Sequence, residues 1–435
     1  MKHELKEKIE NRKALISVVG VGYVGLPLAI ELAKVGFHVT GVDTNKERVE
    51  KLNNGINYIS DVNEIELNHL VKQGKLAAVE NFSKIGTMDV IIICVPTSLT
   101  KNLVPDLQHV IGATKAIAKE LRKGQLICIE STIYPGMTDE VVLPILESSG
   151  LKVENDFFLC HSPERIDPGN KIYTTENTNK IVGGIANDSL EVGVAFYSQL
   201  INHIVPVSSV KVAEFAKIYE NTFRSVNIAL ANEFALLCDK MGISVWDVLD
   251  AAFTKPFGIM SFYPGPGVGG HCIPVDPHYL EWKAREYNYI TKLIGIAGEI
   301  NRHMPEFVSQ IVLRTLNSLG VSPSKSKVLI VGITYKKDVN DFRESPIINL
   351  IELLLKEGVE ISYYDPYVSQ IIVSSKKLQS IPLEDEYVKS ANIVLIATDH
   401  SSIDYQWLVE TAERIIDTRN ATRGLSGSDK KVTLI

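Results

Sequence analysis

The chain has 435 residues, of which 45% are hydrophobic and 22% are charged, and its formal net charge is −7. This length exceeds what one hydrophobic core supports, so we expect a soluble globular protein of two or three domains. Basic residues are scattered among acidic ones and no apolar run is long enough to cross a bilayer. We therefore expect neither nucleic acid nor a membrane as a partner.

The five cysteines include no CxxC pair, which argues against a disulfide framework and against a metal site of the zinc type. Four of them lie in apolar runs and are interpreted as small buried side chains, whereas Cys272 has surroundings that suit a nucleophile. The N-terminal segment MKHELKEKIENRK is charged throughout and is not a secretory signal, so it is a short solvated helix or a frayed tail. These features predict a cytoplasmic protein.

The first predicted element is a strand, Ala14–Val19, which leads into a GxGxxG turn and an Ala/Leu-rich helix. Gly20 permits the tight turn, Gly22 lets a pyrophosphate approach the backbone, and Gly25 lets helix and strand pack closely. A second strand follows and ends at Asp43. This order is the dinucleotide-binding unit of a Rossmann domain, with the helix N-terminus directed at the phosphates.

The acidic residue after the second strand indicates which dinucleotide is bound. Asp43 suits the ribose hydroxyls, and its charge repels a 2′-phosphate, which favours NAD over NADP. Arg48 lies one turn further on and could reach a 2′-phosphate, or it could be only a charge on a helix surface. The sequence therefore predicts NAD as the cofactor.

Three further strands follow, and each ends in polar residues. Thr97, Thr132 and Glu164 come within two to four residues of the ends of these apolar runs. In an open parallel sheet, ligands bind beyond the carboxyl ends of the strands, so the three side chains are expected on one rim that faces the cofactor or the substrate. Each could instead be only a strand-end cap. We expect this NAD-binding domain to span residues 1–206.

The pattern turns helical from Ser208 to Phe253, with apolar residues on more than one face. Such a helix is buried between domains or against a second subunit, which predicts a homodimer through this helix. Lys217 and Asn221 are four residues apart and share one face. A cation and an amide donor one turn apart suit a developing oxyanion, although a solvated lysine beside a satisfied asparagine is the alternative.

The stretch Ser261–Leu280, SFYPGPGVGGHCIPVDPHYL, is a loop punctuated by four glycines and four prolines. It presents Cys272, with His271 before it and Asp276 four residues on. A crowded loop with a thiol and a carboxylate is a plausible reaction centre, and a rigid surface loop with a buried cysteine is the alternative. We assign residues 207–320 to a central helical domain that contains this loop.

The last segment, residues 321–435, repeats the α/β logic of the first. A strand at 327–332 is followed by a helix opened by Ser345 and by a strand that ends at Asp365. GxGxxG is absent after the first strand, where Lys336 could bind a phosphate or a sugar; Arg343 and Arg419 are further candidates. The predicted fold class is α/β, with two Rossmann-like doubly wound domains joined by a long central helix and a helical middle domain.

The motifs GVGYVGLPLA, SPER, KIYENTFRSVNIALANE, PGVGGHCIPVDP and KKDVNDFRESP occur in this order. In this the chain resembles the UDP-glucose/GDP-mannose dehydrogenase family over nearly its full length. SPERIDPGN and FYPGPGVGGHCIPVDPHYLEWKAREYN are most similar to the UDP-N-acetylglucosamine 6-dehydrogenase branch. The resemblance implies that a UDP-sugar is oxidised twice at C6, to a uronic acid, by two NAD without release of the aldehyde.

The resemblance also implies residue roles. Cys272 attacks the aldehyde as a thiolate, Lys217 and Asn221 stabilise the C6 oxyanion, and Asp276 acts through a water as acid/base partner. Glu164 assists thioester hydrolysis, and Thr132 lies near the nicotinamide. The remaining expected contacts are those of the substrate with Tyr263, Gly269, Lys336 and Arg419, and that of the cofactor with Arg343.

Two departures from the family pattern bear on the substrate and on the thiol. Glucose-type members carry a second Glu in PEFLREG, and here Pro168 stands in its place, which weakens a UDP-glucose assignment. His271 replaces a Ser or Tyr of some members; its imidazolium could lower the pKa of Cys272, or it could make only a structural hydrogen bond.

The main hypothesis is therefore a four-electron oxidation of a UDP-N-acetylhexosamine, with UDP-N-acetylglucosamine as the first candidate. UDP-N-acetylmannosamine and UDP-glucose are alternatives that differ at C2, and no residue in the sequence decides between them. A non-catalytic nucleotide-sugar binding protein and a two-electron β-hydroxyacid dehydrogenase are the competing classes. The intact Lys217, Asn221, Cys272 and Asp276 argue against the first, and the Cys loop with the third domain argues against the second.

Overall fold

The computed structural model describes residues 1–59, 62–100, 102–165, 172–173 and 177–435. The chain divides into two compact units. The first unit comprises Met1–Glu220 with His278–Tyr289, and the second comprises Asn221–Pro277 with Ile290–Ile435. The residues assigned to a middle domain, 207–320, are thus shared between the two units. The partition into three domains with boundaries after residues 206 and 320 stays a prediction.

The first unit is built on one large sheet. In chain order its strands are β1 Leu15–Val19, β2 His38–Val42, β3 Leu76–Val79, β4 Val90–Ile93, β7 Leu126–Ile129, β8 Phe158–His161, β9 Lys180–Gly184 and β10 Ile204–Val207. A separate antiparallel hairpin is formed by β5 Ser98–Leu99 and β6 Pro105–Asp106. Among the described residues the sheet order is β3-β2-β1-β4-β7-β8-β9-β10.

The first six strands of that order are parallel, whereas β9 runs antiparallel to β8 and β10 runs parallel to β9. The order 3-2-1-4 followed by the next two strands is that of a Rossmann sheet. The central strands are runs of Val, Ile, Leu and Cys that are buried on both faces, as in Val90–Ile93. Such runs are typical of parallel strands covered by helices on both sides.

The helices of the first unit cover this sheet. They are α1 Lys2–Glu10, α2 Gly25–Lys34, α3 Lys46–Asn53, α4 Glu64–Lys72, α5 Gln108–Glu120, α6 Leu143–Glu147 and α7 Asn187–Tyr197. The N-terminal segment is not a solvated helix or a frayed tail, because Leu5 and Ile9 of α1 are buried in the core and Lys2 pairs with Asp188 at 2.7 Å. Two buried apolar side chains on one face suffice to dock a short helix.

The helix predicted over Ser208–Phe253 is two helices in the structure. Helix α8, Val210–Met241, ends before Gly242, which has φ of +69°. Because glycine reaches this left-handed conformation without strain, the chain turns here, and Ser244 accepts a hydrogen bond from Asp247 N to open α9, Val245–Phe253. Two further helices complete the middle of the chain, α10 Asp276–Ala284 and α11 Lys292–Ser318.

The second unit contains a second parallel sheet. Its strands are β11 Lys327–Val331, β12 Glu360–Tyr364, β15 Ile393–Ile396, β16 Ile415–Asp417 and β17 Val432–Leu434, and its helices are α12 Pro346–Lys356, α13 Asp385–Ser390, α14 Tyr405–Thr411 and α15 Ser428–Lys431. The strand order is β12-β11-β15-β16-β17, with a separate hairpin of β13 Gln370–Val373 and β14 Lys376–Gln379. This is the doubly wound order 2-1-3-4-5, in which ligands bind beside the first strand, where the winding reverses.

The predicted fold class is confirmed: the chain is an α/β protein with two Rossmann-like doubly wound sheets. Across the described residues, each helix is too short or too polar to pass through a lipid bilayer.

Asp89 ties the beginnings of two neighbouring strands together. Its Oδ2 accepts a hydrogen bond from Leu15 N at 3.0 Å, and its Oδ1 pairs with Arg122 at 2.9 Å and Lys8 at 3.2 Å. Burial by itself raises the pKa of Asp89, but the bonds from Leu15, Arg122 and Lys8 outweigh it, and the net pKa lies below its usual value. The ionised carboxylate therefore stabilises the fold.

We expect Asp89→Asn to reduce the free energy of unfolding at pH 7 by about 2 kcal/mol, the contribution of a hydrogen bond to a charged group. Because the pKa is depressed in the folded state, the difference from wild type should persist down to about pH 4 and shrink below it. Denaturant unfolding between pH 7 and pH 3 measures this. Glu47→Gln, which breaks an exposed pair with Lys51, is the control with little effect. An equal loss at every pH would contradict the ionic explanation.

Candidate active site

The glycine-rich turn between β1 and α2 leaves no room for a larger side chain at two of its three glycines. Gly20 has φ of +89°, and a Cβ built there would lie 2.7 Å from the carbonyl oxygen of Cys94. A Cβ on Gly25, the first residue of α2, would collide with the carbonyl oxygen of Gly20. A Cβ on Gly22, by contrast, would meet only Arg48 Nη1, at 3.9 Å. This cradle fits the pyrophosphate of NAD, which would rest on the backbone at the N-terminus of α2.

Asp43 stands at the end of β2, as predicted. It is buried, and its two oxygens accept hydrogen bonds from Val21 N at 3.2 Å and Asn45 N at 2.9 Å. Arg48 Nη1 lies 3.4 Å from Asp43 Oδ2. The guanidinium is thus directed at the carboxylate, which makes Arg48 more than a charge on a helix surface. These residues suit the ribose that lies next to the adenine of NAD.

The three predicted rim residues follow neighbouring strands of the first sheet. Thr97 is buried just after β4, Thr132 is half-buried after β7, and Glu164 is half-buried after β8. Ser131, beside Thr132, donates to Val95 O at 2.8 Å and links two of these strand ends. We call this edge of the sheet the carboxyl rim. The roles of the three residues in cofactor binding and catalysis stay predictions.

The sequence reasoning missed a buried cluster of charges on this rim. Lys180 Nζ lies 3.1 Å from Glu130 Oε2 and 3.4 Å from Glu164 Oε2, and the Tyr197 hydroxyl donates to Glu130 Oε1 at 2.7 Å. We call Glu130, Glu164, Lys180 and Tyr197 the Lys180 cluster. Burial lowers the pKa of Lys180, but the two carboxylates outweigh it and raise the net pKa, so the lysine is charged. A lysine next to an apolar IVGG run carries no sequence signal of this role.

The second unit holds the Cys loop against helix α8. Cys272 is exposed, and its carbonyl oxygen accepts hydrogen bonds from Val275 N at 3.1 Å and Asp276 N at 2.8 Å in the turn that opens α10. Asn221 Nδ2 donates to Asp276 Oδ2 at 2.5 Å. Two predicted site residues that lie 55 positions apart in the chain are therefore brought into contact.

Lys217 lies one turn before Asn221 on α8. The two side chains are 9% and 5% exposed, and Asp276 is 2% exposed. Because the Lys217 side chain is buried, the alternative of a solvated lysine is wrong. A cation and an amide donor on one helix face can stabilise a developing negative charge on a substrate oxygen.

Further contacts within the second unit fix the glycine-rich part of the Cys loop. The buried Asn232 of α8 accepts from Gly265 N at 3.0 Å through Oδ1 and donates to Asn301 at 2.9 Å through Nδ2. Gly270 has φ of +83°, and a Cβ there would lie 2.8 Å from the ring of Tyr335. A Cβ on Gly269 would lie 2.6 Å from Tyr335 Cβ. The loop therefore needs glycine where it packs on the turn after β11.

His271 does not supply a positive charge next to the thiol. Burial lowers its pKa, and the guanidinium of Arg343 lowers it further. The imidazole is therefore neutral at neutral pH, which favours a structural role for His271.

In the third segment, residues 321–435, Asp365 stands at the position that Asp43 has in the first. Asp365, which ends β12 as Asp43 ends β2, is buried, and its Oδ2 accepts from Ile333 N at 2.7 Å and Thr334 N at 3.2 Å and contacts His400 Nε2 at 3.1 Å. Its Oδ1 accepts from Tyr367 N at 2.9 Å. This carboxylate differs from Asp43 in its additional contact with a buried imidazole, and the turn that it holds lacks GxGxxG.

The other predicted substrate and cofactor contacts lie in the second unit as well. Lys336 is half-buried in the turn after β11, at the point where the winding of the sheet reverses. Arg343 forms a two-pronged pair with Asp341, at 2.9 and 2.7 Å. Their roles, and those of the next two residues, stay predictions.

Arg419 and Tyr263 are each engaged by neighbours of the same unit. Arg419 Nε donates to Ala397 O at 2.9 Å, and a Cβ on Gly265 would lie 2.6 Å from Arg419 Nη1. Tyr263 stacks on Trp246 with ring centroids 5.5 Å apart. Pro168, which distinguishes this chain from glucose-type members, lies outside the described residues.

Three family models match successive parts of the chain. They describe the NAD binding domain, the central domain and the UDP binding domain of the UDP-glucose/GDP-mannose dehydrogenase family, and they match residues 14–201, 211–303 and 329–424. The chain belongs to this family. As a member of the UDP-glucose/GDP-mannose dehydrogenase family it is an oxidoreductase that uses NAD and acts on a UDP-sugar.

Individual members of the family carry two different substrate names. The chain is 34% identical over 412 residues to a UDP-N-acetyl-D-mannosamine dehydrogenase of Pyrococcus horikoshii, covering 93% of this chain and 95% of that protein. It is 37% identical over 356 residues to a UDP-N-acetyl-D-glucosamine 6-dehydrogenase of Pseudomonas aeruginosa, covering 81% and 83%. A solved UDP-D-ManNAc dehydrogenase from P. horikoshii superposes with a TM-score of 0.86 at 33% identity, covering 97% and 98%. These similarities leave the substrate open at C2.

The Asp43–Arg48 pair predicts how cofactor choice can be changed. We expect Asp43→Asn to weaken NAD use and to release Arg48 for a 2′-phosphate. The ratio of kcat/KM for NADP to that for NAD should rise by about 10- to 100-fold, the effect of one hydrogen bond to a charged group. Steady-state kinetics with both cofactors measure the ratio.

Arg48→Ala, with Asp43 intact, is the matched control for this change and should not increase the use of NADP. If Asp43→Asn leaves the ratio unchanged, Asp43 does not select the cofactor.

Proposed function

We propose that this enzyme catalyses the NAD-dependent four-electron oxidation of the C6 alcohol of a UDP-N-acetylhexosamine to the uronic acid. The hydrogen bond between Asn221 and Asp276, with Cys272 one turn before Asp276, carries the proposal. It joins an amide donor and a carboxylate within one unit, and the backbone N–H of Asp276 donates to the carbonyl oxygen of Cys272, the residue that carries the thiol. A two-electron dehydrogenase has no use for the thiol, and a non-catalytic binder needs none of the three.

The first task of the chain is to stabilise negative charge on the C6 oxygen. Lys217 supplies a cation and Asn221 a hydrogen-bond donor, and both side chains are largely shielded from water, where their electrostatic effect is strongest. The cradle of Gly20, Gly22 and Gly25 would hold NAD, which would supply the hydride acceptor for each of the two oxidations. Asp276 is held by Asn221 and acts through a water as proton acceptor and donor.

The second task is to retain the aldehyde. The Cys272 thiolate attacks the aldehyde carbon and forms a thiohemiacetal, whose oxidation gives a thioester. A covalently bound intermediate does not escape into solvent, so the reactive aldehyde is not released. Water then cleaves the thioester with the help of Glu164, and the free thiolate is regenerated.

The hexosamine is the finer part of the proposal. UDP-N-acetylglucosamine is the first candidate, on the motifs SPERIDPGN and FYPGPGVGGHCIPVDPHYL, with Pro168 where glucose-type members have Glu. UDP-N-acetylmannosamine is the second candidate, since relatives and solved structures of that name are about equally similar. Product identification from UDP-N-acetylglucosamine, UDP-N-acetylmannosamine and UDP-glucose with excess NAD separates them. A strong preference for UDP-glucose would refute the proposal.

Replacement of the thiol tests the covalent mechanism. We expect Cys272→Ala to lower uronic acid formation by more than about a thousandfold, as the loss of a nucleophile does, with NAD binding unchanged. The measurements are the NADH produced per sugar consumed, two in the wild type, and NAD affinity by calorimetry. Cys238→Ala, which removes a buried thiol of α8, is the matched control with normal activity.

Two other stoichiometries would favour the competing classes. One NADH per sugar in the wild type indicates a simple dehydrogenase, and no NADH indicates a binding protein. Uronic acid formed at the normal rate by Cys272→Ala would exclude the thioester.

We also propose that two copies associate through α8. Large apolar side chains at helical spacing are exposed along this helix: Val212, Phe215, Tyr219, Phe223, Leu230, Phe234, Leu237 and Met241. A stripe of eight such residues over a 32-residue helix is unfavourable in water and self-complementary between two copies related by a twofold axis.

Charge introduced into this stripe should dissociate the pair. We expect Leu230→Glu with Phe234→Glu to shift the mass measured by sedimentation at micromolar concentration from two copies to one. Ile65→Glu in α4, another exposed apolar position, should leave the mass unchanged. A wild-type protein that sediments as a single copy would contradict the proposal.

A further inference from the structure

The proposed mechanism uses Glu164 but leaves the charge of Lys180 without a role. Lys180 is 4% exposed, although a charged lysine side chain is rarely buried unless it is paired. Its ammonium lies between two carboxylates, Glu130 at 3.1 Å and Glu164 at 3.4 Å. A group with such a high cost of burial points to a function at the carboxyl rim.

The direction of β9 explains how the lysine reaches this rim. Strand β9 is antiparallel to β8, with Cys160 paired to Gly184 and His161 to Gly183. Because β9 runs in reverse, its first residue lies at the edge where the parallel strands end. The same register, continued past the last paired residues, sets position 164 opposite position 180. The topology therefore places Lys180 beside Glu164 rather than at the far edge of the sheet.

The surroundings leave Lys180 as the cation that balances these two carboxylates in the described structure. Cys94 and Tyr197 also face it, and both are neutral because burial raises the pKa of each. Burial and the charge of Lys180 lower the pKa of His161 to about 3, so this imidazole is neutral as well. Burial already raises the pKa of Glu130 above its usual value, and the charge of Lys180 opposes this rise. Without the lysine, Glu130 and Glu164 would repel each other, and one of them would take up a proton.

Arg165 does not replace the lysine in this role. Its guanidinium pairs with Glu220 at 2.7 Å, and only its backbone N–H reaches Glu164, donating to Oε1 at 2.7 Å. Glu164 is thus held at one oxygen by a backbone donor and at the other by the ammonium of Lys180.

We propose that Lys180 is a positioning residue that keeps the Glu164 carboxylate ionised and oriented for cleavage of the thioester. The proposal rests on the function proposed above. In this step a water oxygen bonds to the thioester carbon, one water proton passes to Glu164, the C–S bond breaks, and Cys272 leaves as thiolate. Both oxidations precede this step, so no further electron acceptor is needed. Lys180 touches neither water nor substrate in this scheme and acts only through Glu164.

The test separates the oxidations from the hydrolysis. With Lys180→Met we expect kcat to fall by about 100-fold, the usual contribution of a general base. The first turnover should still release two NADH per chain, and intact-protein mass spectrometry of acid-quenched samples should show the acyl adduct on Cys272. Lys180→Arg keeps the charge and should restore most of kcat. Glu164→Gln should behave like Lys180→Met, and the double variant should be no slower than Glu164→Gln alone.

Controls keep the outcome decisive. Arg122→Met breaks the ion pair with Asp89 at the opposite edge of the same sheet and should accumulate no acyl adduct on Cys272. This control excludes a general loss of stability as the cause of the adduct. If Lys180→Met does not fold, Lys180→Gln, which keeps a hydrogen-bonding group, is measured in its place.

Three results would overturn the inference. The first is a wild-type kcat in Lys180→Met. The second is slow turnover of Lys180→Met without an acyl adduct on Cys272. The third is a double variant whose loss of kcat equals the product of the losses in Lys180→Met and Glu164→Gln. If the wild-type enzyme forms no uronic acid from any UDP-sugar, the proposed function fails, and this inference fails with it.

Discussion

The hydrogen bond from the Asn221 amide to the buried Asp276 carboxylate is the contact on which the proposed chemistry of the second unit depends. A carboxylate that is 2% exposed is costly unless donors surround it, so its partner and its position are both tightly constrained. The backbone of Asp276 in turn donates to the carbonyl of Cys272. This polar contact therefore fixes which face of α8 packs on the start of α10, and with it the backbone position of Cys272.

The two doubly wound sheets use the same position in opposite ways. In the first, Asp43 ends β2 with an oxygen directed towards Arg48, beside an open glycine at position 22. In the second, Asp365 ends β12 and accepts bonds from the turn that carries Lys336. The arrangement at Asp43 leaves room for a ribose, whereas the Asp365 carboxylate is used to hold the turn after β11. A repeated topology has thus been adapted to a dinucleotide at one sheet and to a different ligand at the other.

Much of this arrangement could be predicted from local sequence. Buried parallel strands are continuous apolar runs, so the strands that precede Thr97 and Thr132 were predicted from sequence and are β4 and β7 in the structure. The glycines at positions 20 and 25 follow from the steric demands of the turn. The break of the long helix at Gly242 was missed, because apolar residues continue on both sides of it. The pairing of Asn221 with Asp276 was not predicted, since no periodicity links residues so far apart in the chain and the family resemblance implied only a separate role for each.

The Lys180 cluster could not be predicted, because its members come from four separate elements: Glu130 follows β7, Glu164 follows β8, Lys180 begins β9 and Tyr197 ends α7. Only the antiparallel direction of β9 brings them together, and strand direction has no signature within the strand. The saturation of Asp365 was equally hidden, since its sequence context resembles that of Asp43. In both cases the residue type was visible and its partners were set by tertiary structure.

The saturated Asp365 has a consequence for protein engineering. Grafting a GxGxxG turn after β11 would supply backbone donors for phosphate, yet the carboxylate would still be occupied by Ile333, Thr334 and His400. Specificity for a dinucleotide at this sheet would require the imidazole to be removed and the turn to be rebuilt at the same time. A change of ligand at this sheet therefore needs several coupled substitutions, not one.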